Sequence, residues 1–438
     1  MVHKCSKAFI CLIATLGLLV FSIWLGVNSD KDNIPSLINQ LIPADHCACE
    51  TATIFKCDSC LQCFAESGSR TNLDLGNQSL NDTECQAFFP GLFEDIIRAQ
   101  EFWSPHGPRK ADLDQIQMTN GMARATIFRG RLYVKEVQAR NEDHRRKIVG
   151  ILSSIYYAMV SGLNTALPNT EFIFSVEDKL SDVMGSHQQP PLWVLARKAS
   201  EESVWLMPDF GFWAWENDQF DASIGPYDQV VEHIRQKEPE WINKTNKLVW
   251  RGKLSFAPKL RRTLLEVSRN QPWGDIKEVE WGSKANFLSM EDHCKYRFIA
   301  HIEGRSYSAS LKYRQACRSV LVTHKLQYIQ HHHYLLISTG PQQNFVEVER
   351  DWSDLRETIE GLLDNPVEAE RIADNSVNVF QHYLSPAANA CYWRTLLHAW
   401  ATVSPDISLT LENLGTSKGL RYESFILLEP SRMLHFSM

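Results

Sequence analysis

The pattern of hydrophobic and polar positions predicts strands and helices in alternation from about residue 101 to residue 402. In the first half, short apolar runs rich in β-branched and aromatic residues have the length and composition of strands. One longer stretch instead repeats its apolar residues at helical spacing. The predicted strands are 124–128, 132–137, 171–176 and 192–195, with a turn at Arg129-Gly130-Arg131 between the first two, and the predicted helix is 144–161.

The second half, from about residue 246, continues the alternation. Strands that alternate with helices are typical of parallel α/β sheets. We therefore expect an α/β protein with two Rossmann-like domains that face a cleft, and ligands bound beyond the carboxyl ends of the strands. One predicted strand ends at Trp250, and three others span 298–302, 320–323 and 345–348. The predicted helices span 257–267, 306–317, 352–363, 366–383 and 387–401.

The N-terminus departs from this alternation, because Ala8 to Val27 is a run without any charge. Such a run is long enough to cross about 30 Å of hydrocarbon as a helix. Lys4 and Lys7 precede it, so we expect residues 1–7 to be cytosolic, 8–27 to be a transmembrane signal anchor and the body to face a lumen, as in a single-pass type II membrane protein. A cleaved signal peptide is the alternative. No retention tetrapeptide of the Lys-Asp-Glu-Leu kind ends the sequence, which favours the Golgi over the endoplasmic reticulum.

Composition changes this picture little. The 438 residues are enough for two cores. The net charge is −7 and the basic residues are scattered, so no nucleic-acid partner is indicated. Sequons at Asn77, Asn81 and Asn243 would accept glycans in a lumen.

Residues 28–100 are predicted to be a stem that leads into a small cysteine-rich cap. The cysteine spacing between residues 47 and 63 is compatible with zinc, but disulfides are the better interpretation in an oxidising lumen. Their connectivity is not defined by spacing. The cysteines that follow the apolar run are Cys47, Cys49, Cys57, Cys60, Cys63, Cys85, Cys294, Cys317 and Cys391.

Asp178 is the first residue with candidate chemistry. It follows the apolar run 171–176, where an α/β domain places reactive side chains. A carboxylate there suits the general base of a sugar transfer, and Glu177 is the second choice. From position alone, a turn or helix N-cap aspartate is the commoner interpretation.

Arg251 is the second candidate, in the segment Trp250-Arg251-Gly252-Lys253 at a predicted strand end. Its fork of donors, together with Ser255, suits a diphosphate whose charge grows as it leaves. A surface arginine at a turn is the alternative.

The third candidate is the turn that contains Gly304, Arg305, Ser306 and Ser308, just before a predicted helix. Free backbone N–H groups and the helix dipole attract phosphate at such a position. An ordinary helix capped by Ser306 or Ser308 would have the same sequence.

In order and spacing, these segments resemble glycosyltransferase family 90, which contains capsule-associated proteins and protein O-glucosyltransferases. The resemblance covers about residues 120–400. The matching features are Phe172 to Asp178, Trp250-Arg251-Gly252, Cys294-Lys295-Tyr296, Glu303-Gly304 with Ser308, Asn344 to Val348 before Asp351 to Leu355, and Cys391-Tyr392-Trp393.

The resemblance implies a GT-B fold, with an acceptor-side domain at 101–245, a nucleotide-sugar-binding domain at 246–402 and a tail, 403–438, of unassigned role. It implies inverting transfer from a UDP-sugar, usually UDP-glucose or UDP-xylose, to a hydroxyl group of a protein or polysaccharide. It implies neither a metal nor another cofactor.

The resemblance also assigns roles to residues. The base is Asp178, and the pyrophosphate contacts are Arg251 and the turn from Gly304 to Ser308. One implied disulfide joins Cys294 to Cys317, and another joins Cys391 to a cysteine of the cap.

Ser310 is the main departure from the family pattern, since many members have an arginine there. Arg305 is our candidate to replace that charge. Without a replacement, the chain would be a nucleotide- or glycan-binding module instead of an enzyme. A hydrolase, which would need two carboxylates across a cleft or a Ser-His-Asp set, is a third possibility.

Three further features have simpler interpretations. Asp112-Leu113-Asp114 has the form of a metal-binding motif but precedes the first hairpin, so we expect no metal there. The run 331–333, three histidines near His324, is predicted to be a solvated loop. A cluster of aromatic residues is predicted to fill the core, in preference to forming a platform on which a sugar stacks. These residues are Trp205, Phe210, Phe212, Trp213 and Trp215.

Overall fold

The computed structural model describes residues 73–162, 166–184, 189–215, 224–280, 285–407 and 419–428. Within these residues the chain forms an α/β fold with two sheets. The expected membrane anchor at 8–27 and the cysteines from Cys47 to Cys63 lie outside the described residues. Among the helices that the structure describes, none is both long enough and apolar enough to span a bilayer.

The first sheet is mixed. The hairpin predicted around Gly130 is confirmed, and its antiparallel first strand also pairs antiparallel with the third. Parallel pairing in this sheet, which was expected throughout, is limited to the third, fourth and fifth strands. The strands are β1 (Met122–Phe128), β2 (Arg131–Gln138), β3 (Thr170–Ser175), β4 (Trp193–Val194), β5 (Trp205–Leu206) and, at the edge, β11 (Leu420–Arg421), in the order β11-β2-β1-β3-β4-β5.

Helices cover this sheet and form the first core. The predicted amphipathic helix is confirmed as Glu142–Ser161, where the Asn141 side chain caps it by accepting a hydrogen bond from the His144 N–H at 2.8 Å. The helices that precede the second sheet are α1 (Asp82–Phe88), α2 (Glu94–Trp103), α3 (Lys110–Asp114), α4 (Glu142–Ser161), α5 (Leu180–Val183) and α6 (Tyr227–Lys237).

The second sheet is parallel throughout and has its own core. The strands are β6 (Thr245–Gly252), β7 (Gly274–Glu278), β8 (Tyr296–His301), β9 (Val320–His324) and β10 (Val346–Val348), in the order β10-β9-β8-β6-β7. The helices are α7 (Pro258–Val267), α8 (Met290–His293), α9 (Leu311–Gln315), α10 (Leu355–Asp364), α11 (Pro366–Tyr383) and α12 (Pro386–Val403). The strand order reverses between β6 and β8, which is the point where an open α/β sheet leaves a crevice.

Two sequence predictions are wrong in this half. The helix predicted over 306–317 begins only at Leu311, and the preceding residues form turns. Serine and glycine compete poorly as helix formers, and four of them occur between residues 304 and 310. The predicted solvated loop is also wrong, because His331 and His332 are buried against Phe212, Tyr392 and Phe380.

The C-terminal segments return to the first sheet. The indole N–H of Trp400 in α12 donates to the Glu171 carbonyl in β3 at 3.1 Å. Beyond α12, β11 extends the sheet beside β2, and α13 (Tyr422–Leu428) places the Tyr422 hydroxyl 2.7 Å from the Ser153 hydroxyl. The tail, to which the sequence gives no role, therefore completes the edge of the first sheet.

Both implied disulfides are confirmed. Cys85 in α1 is bonded to Cys391 in α12, which joins the start of the described chain to its last long helix. Cys294 is bonded to Cys317, which ties the segment before β8 to the segment after α9.

Candidate functional site

A cavity of about 540 Å³ lies at the carboxyl ends of β6 and β8. Its floor comes from the second sheet, and Trp215 and Ile224 approach it from the segment that follows the first sheet. Three residues proposed from the sequence line it, namely Arg251, Ser308 and Ser310. The cavity therefore occupies the place where the topology predicts a ligand.

Asp178 lies in a bend directly after β3 and is partly buried. Among the described residues, its carboxylate has no hydrogen-bond or ion-pair partner. Burial raises its pKa above the usual range, and Glu177 and Asp182 add to this, although Lys147 and Arg305 act in the opposite direction. A partly buried carboxylate without a partner is able to accept a proton from a bound hydroxyl group.

Glu177, the second choice for the base, is held elsewhere. Its Oε1 lies 3.1 Å from Nε2 of His144, and this hydrogen bond lowers the pKa of Glu177. Gly121 lies against it with a φ of +86°, and a Cβ there would approach the Glu177 Cγ to 2.9 Å. The side chain is thus fixed against the hairpin, which leaves Asp178 as the available base.

The turn from Gly304 to Ser308 crosses from the second sheet towards Asp178. Arg305 Nη2 lies 3.0 Å from Asp182 Oδ2, in the helix that follows Asp178. Tyr307 is buried beside it, and burial, with the nearby carboxylates of Asp209 and Asp178, raises its pKa well above the usual value. The structure thus places this turn near Asp178.

The serines of the turn are arranged differently from a helix cap. The hydroxyl groups of Ser308 and Ser310 lie 3.0 Å apart and line the cavity, whereas the Ser306 hydroxyl is buried without a partner among the described residues. Because the helix begins only at Leu311, the turn from Gly304 to Ser308 does not form the first turn of a helix, where backbone N–H groups and the helix dipole would face a phosphate. What remains is a pair of hydroxyl donors.

Arg251 lines the cavity but is largely committed to the protein. Its guanidinium donates to the Trp250 carbonyl at 2.9 Å, to the Asp275 carbonyl at 2.5 Å and to Asp275 Oδ2 at 2.9 Å. Ser255, its proposed companion, is exposed on a short 3-10 helix and does not line the cavity.

Sequence reasoning missed Arg261 in α7 and Arg314 in α9. Both are only 6% exposed, and both line the cavity. Arg261 Nη2 lies beneath Gly304, where an added Cβ would sit 3.5 Å away. Both lie on helices beside other basic residues, and the sequence pattern does not show which basic side chain of a helix is buried. The sequence therefore did not identify these two arginines as site residues.

The sequence also gave no sign of a buried ion pair between Lys312 and Asp209, at 2.7 Å and 3.0 Å to the two carboxylate oxygens. Lys312 lies among the rings of Phe212, Trp215 and Tyr313. This pair joins α9 to the segment after β5 and so fixes the cavity wall against the first sheet.

The weaker candidates are accounted for by other contacts. Asp112 pairs with Arg109 at 2.9 Å and Asp114 with Lys110 at 3.0 Å, so both carboxylates form ion pairs in the fold. Glu238 lies near Cys294 and Cys317, but these two sulfurs are bonded to each other. Of the aromatic residues, Trp205, Phe210 and Phe212 fill core as predicted, whereas Trp213 is 38% exposed and Trp215 lines the cavity.

Comparison with known proteins points to one family. The family model described as glycosyl transferase family 90 matches residues 81–406, most of the described chain. Protein O-glucosyltransferase 3 of Rattus norvegicus is 27% identical over 303 residues, which are 61% of this chain and 57% of that protein. O-glucosyltransferase rumi homolog of Aedes aegypti is 25% identical over 249 residues, or 53% of this chain and 61% of that protein.

A third similar protein is Protein O-glucosyltransferase 1 of Homo sapiens, which is 22% identical over 259 residues, 54% of this chain and 63% of that protein. The chain thus spans about three fifths of the length of the curated relatives that it matches. The matched residues 81–406 contain the second sheet, strands β1 to β5 of the first sheet and the residues that line the cavity.

Proposed function

Because this chain belongs to glycosyl transferase family 90, we propose that it transfers a sugar, glucose or xylose, from a UDP-sugar to a hydroxyl group of a protein. The observation that carries this proposal is Asp178, a carboxylate without a partner among the described residues, beside a turn that leads into a cavity lined by arginines. The similar proteins are named as protein O-glucosyltransferases or O-glucosyltransferases, which supports a protein acceptor and glucose. We place the two sheets in a GT-B arrangement on the same grounds.

The proposed reaction inverts the configuration of the sugar. The acceptor oxygen attacks the anomeric carbon from the face opposite the diphosphate, and Asp178 takes the hydroxyl proton as the new C–O bond forms. The bond between the anomeric carbon and the diphosphate oxygen breaks, and its electron pair leaves with UDP. The added negative charge on the diphosphate is stabilised by cationic side chains and by the hydroxyl donors of Ser308 and Ser310.

In this proposal the positive charge comes from side chains, and no metal or cofactor takes part. We further propose that the enzyme acts in the lumen of the Golgi or the endoplasmic reticulum, attached through residues 8–27. The disulfides Cys85–Cys391 and Cys294–Cys317 support an oxidising compartment.

A second candidate is a binding module that holds nucleotide or glycan without turnover. Ser310 favours it, since this serine supplies no charge to a leaving diphosphate. The two candidates differ in turnover, which a binding measurement alone does not detect.

The test uses the full-length chain with UDP-glucose, UDP-xylose and other nucleotide sugars, scored for UDP release and for transfer to a folded protein acceptor. We expect turnover with a UDP-sugar, and we expect Asp178→Asn to lower kcat by about 10²- to 10⁴-fold, the range for loss of a general base. Glu177→Gln is the matched comparison, and its effect should be far smaller because Glu177 is bonded to His144.

UDP binding without turnover would favour the binding module. Full activity of Asp178→Asn would remove Asp178 from the mechanism. Absence of both binding and turnover with every nucleotide sugar would contradict the proposed function itself.

A further inference from the structure

The arginine that the sequence assigns to the diphosphate is already neutralised. Arg251 Nη2 pairs with Asp275 Oδ2 at 2.9 Å, and its Nη1 donates to two backbone carbonyls, while its Nε is buried without a partner among the described residues. Burial alone would raise the pKa of Asp275, but hydrogen bonds from Arg251, Tyr296 and Lys277 lower it to about 2. The Asp275 carboxylate is therefore ionised at neutral pH, and Arg251 brings almost no net charge to the cavity.

Arg261 and Arg314 are in the opposite state. Among the described residues, neither has a carboxylate within ion-pair distance. Arg261 donates to the carbonyls of Lys253 at 2.6 Å and Glu303 at 3.2 Å, and its guanidinium lies 5.5 Å from the Trp250 ring. Arg314 donates to the Ala300 carbonyl at 2.9 Å, and its Nε is buried without a partner among the described residues.

The acidic residues of the same cavity do not supply the missing partners. Glu291 lies 3.7 Å from His233, and Asp292 pairs with Lys295 at 2.6 Å. Burial lowers the pKa of His293, which also lines the cavity, to about 3, so this histidine is neutral at neutral pH. The two arginines thus give the cavity a positive charge that no described carboxylate balances.

A buried cation without an anion is costly, and an arginine stays charged at any physiological pH. Burial lowers the pKa of Arg261 to about 10, and burial together with the charge of Arg261 lowers that of Arg314 to about 9. A dianionic or trianionic ligand between them would relieve both the desolvation cost and the mutual repulsion. A diphosphate has this charge, and the hydroxyls of Ser308 and Ser310 can donate to it.

We propose that Arg261 and Arg314 supply the net positive charge of the diphosphate subsite, beside Arg251, whose own charge is balanced by Asp275. This inference rests on the proposed function for the identity of the ligand. Arg314 lies one helical turn after Ser310, so it brings a guanidinium to the wall where Ser310 is neutral. Arg305, which the sequence suggested as the replacement for the missing arginine, instead forms an ion pair with Asp182.

The experiment measures the dissociation constants of UDP, inorganic pyrophosphate and uridine for the full-length chain by calorimetry. Arg314→Met and Arg261→Met are each expected to weaken UDP and pyrophosphate by about 10- to 100-fold, as for loss of a charge-assisted hydrogen bond, and to leave uridine within about twofold. Arg314→Lys and Arg261→Lys keep the charge, so their dissociation constants for UDP and pyrophosphate should lie between those of the methionine variants and those of the unchanged chain.

Two further variants distinguish diphosphate binding by Arg261 and Arg314 from a purely structural role of these arginines. Arg297→Met is the matched control, because Arg297 lies at the opposite end of β8 and donates to the Trp241 carbonyl. Arg251→Met should lower the melting temperature and weaken UDP by less than either of the other two methionine variants. The thermal unfolding of each variant identifies those that fold.

Unchanged pyrophosphate affinity in the Arg314 and Arg261 variants would overturn the inference, as would equal losses for UDP and uridine. A chain that binds pyrophosphate through these arginines but neither UDP nor a UDP-sugar would keep the inference and contradict the proposed function. A chain that binds none of the three probes would contradict both.

Discussion

The two sheets of this protein differ in construction and in the charge that they bring to the crevice. The first is mixed and carries the carboxylates Asp178, Asp182 and Asp209 on its side. The second is parallel and carries Arg261 and Arg314. Within the second sheet, Arg251 and Asp275 are close enough to neutralise each other. In the proposed reaction, which needs an anion on one side and cations on the other, this placement on different sheets keeps both available.

Where the two charged surfaces do meet, they form ion pairs that join them. Lys312 and Asp209 form a buried pair, and Arg305 and Asp182 form an exposed one. Substitutions at these ion pairs, and at residues found on the side of one sheet alone, test the difference between the two sheets.

The largest effect is expected from Lys312→Met. It leaves the Asp209 carboxylate buried without its cation, so the free energy of unfolding should fall by about 3–5 kcal/mol. Chemical denaturation of the full-length chain measures this. The double variant Lys312→Met with Asp209→Leu removes both charges and should recover much of the loss. A single variant that loses less than about 1 kcal/mol would show that the pair does not join the two sheets.

The next effect compares the two disulfides. Replacing both Cys85 and Cys391 by serine should cost about 2–5 kcal/mol, and more than the same change at Cys294 and Cys317. The reason is loop length, since the first pair is separated by 306 residues and the second by 23. Denaturation midpoints of the two double variants give the comparison, and equal losses would contradict the loop-length argument.

A smaller effect concerns pH and the buried histidines, which all lie in or after the second sheet. Burial lowers the pKa of His332 well below 6.5, so its neutral form is stable in the fold. The unfolded chain takes up the proton as pH falls below about 6.5, so stability present above that pH is lost below it.

His332→Phe should therefore reduce the pH dependence of unfolding between pH 6.5 and 5.5 by about 1 kcal/mol per pH unit. Denaturation curves at several pH values measure the slope. The matched control is His106→Phe, an exposed histidine before α3. An unchanged slope in the His332 variant would mean that this ring is already accessible to protons.

The smallest effect on stability is expected from Arg305→Gln, because exposed ion pairs contribute about 0–1 kcal/mol. Its effect on activity is more informative. The charge of Arg305 lowers the pKa of Asp178, so its removal should shift the acidic limb of the kcat/KM profile to higher pH. A profile that does not move would separate Asp178 from the rate-limiting proton transfer.

The sequence predicted the strand pairing of the second sheet better than that of the first, although β7 was missed, and the reason is physical. A buried parallel strand followed by a helix is a local pattern, and β6, β8 and β9 were found within a few residues of their bounds. The pairing of β1 with β3, and of β11 with β2, is decided by contacts between distant segments. The two-residue strand β5 is too short to give a period, whereas β4 lies within the predicted strand 192–195.

The candidate site shows the same division. Asp178 could be predicted because a strand end is visible in the sequence, and the structure leaves its carboxylate without a described partner. Arg251 could be predicted too, but not its pairing with Asp275, which lies on another strand. Arg261 and Arg314 could not be predicted, since helical periodicity does not show which basic residue will be buried without an anion.

The return of α12 and β11 to the first sheet makes the second sheet an insertion within the first unit. During synthesis the inner unit can fold as soon as its own residues are available, whereas the outer one must wait for segments made much later. Until Cys391 has been made, Cys85 cannot form the disulfide that it has in the fold. In the oxidising compartment proposed above, we therefore expect the yield of this protein to depend on thiol–disulfide exchange that can undo premature pairings.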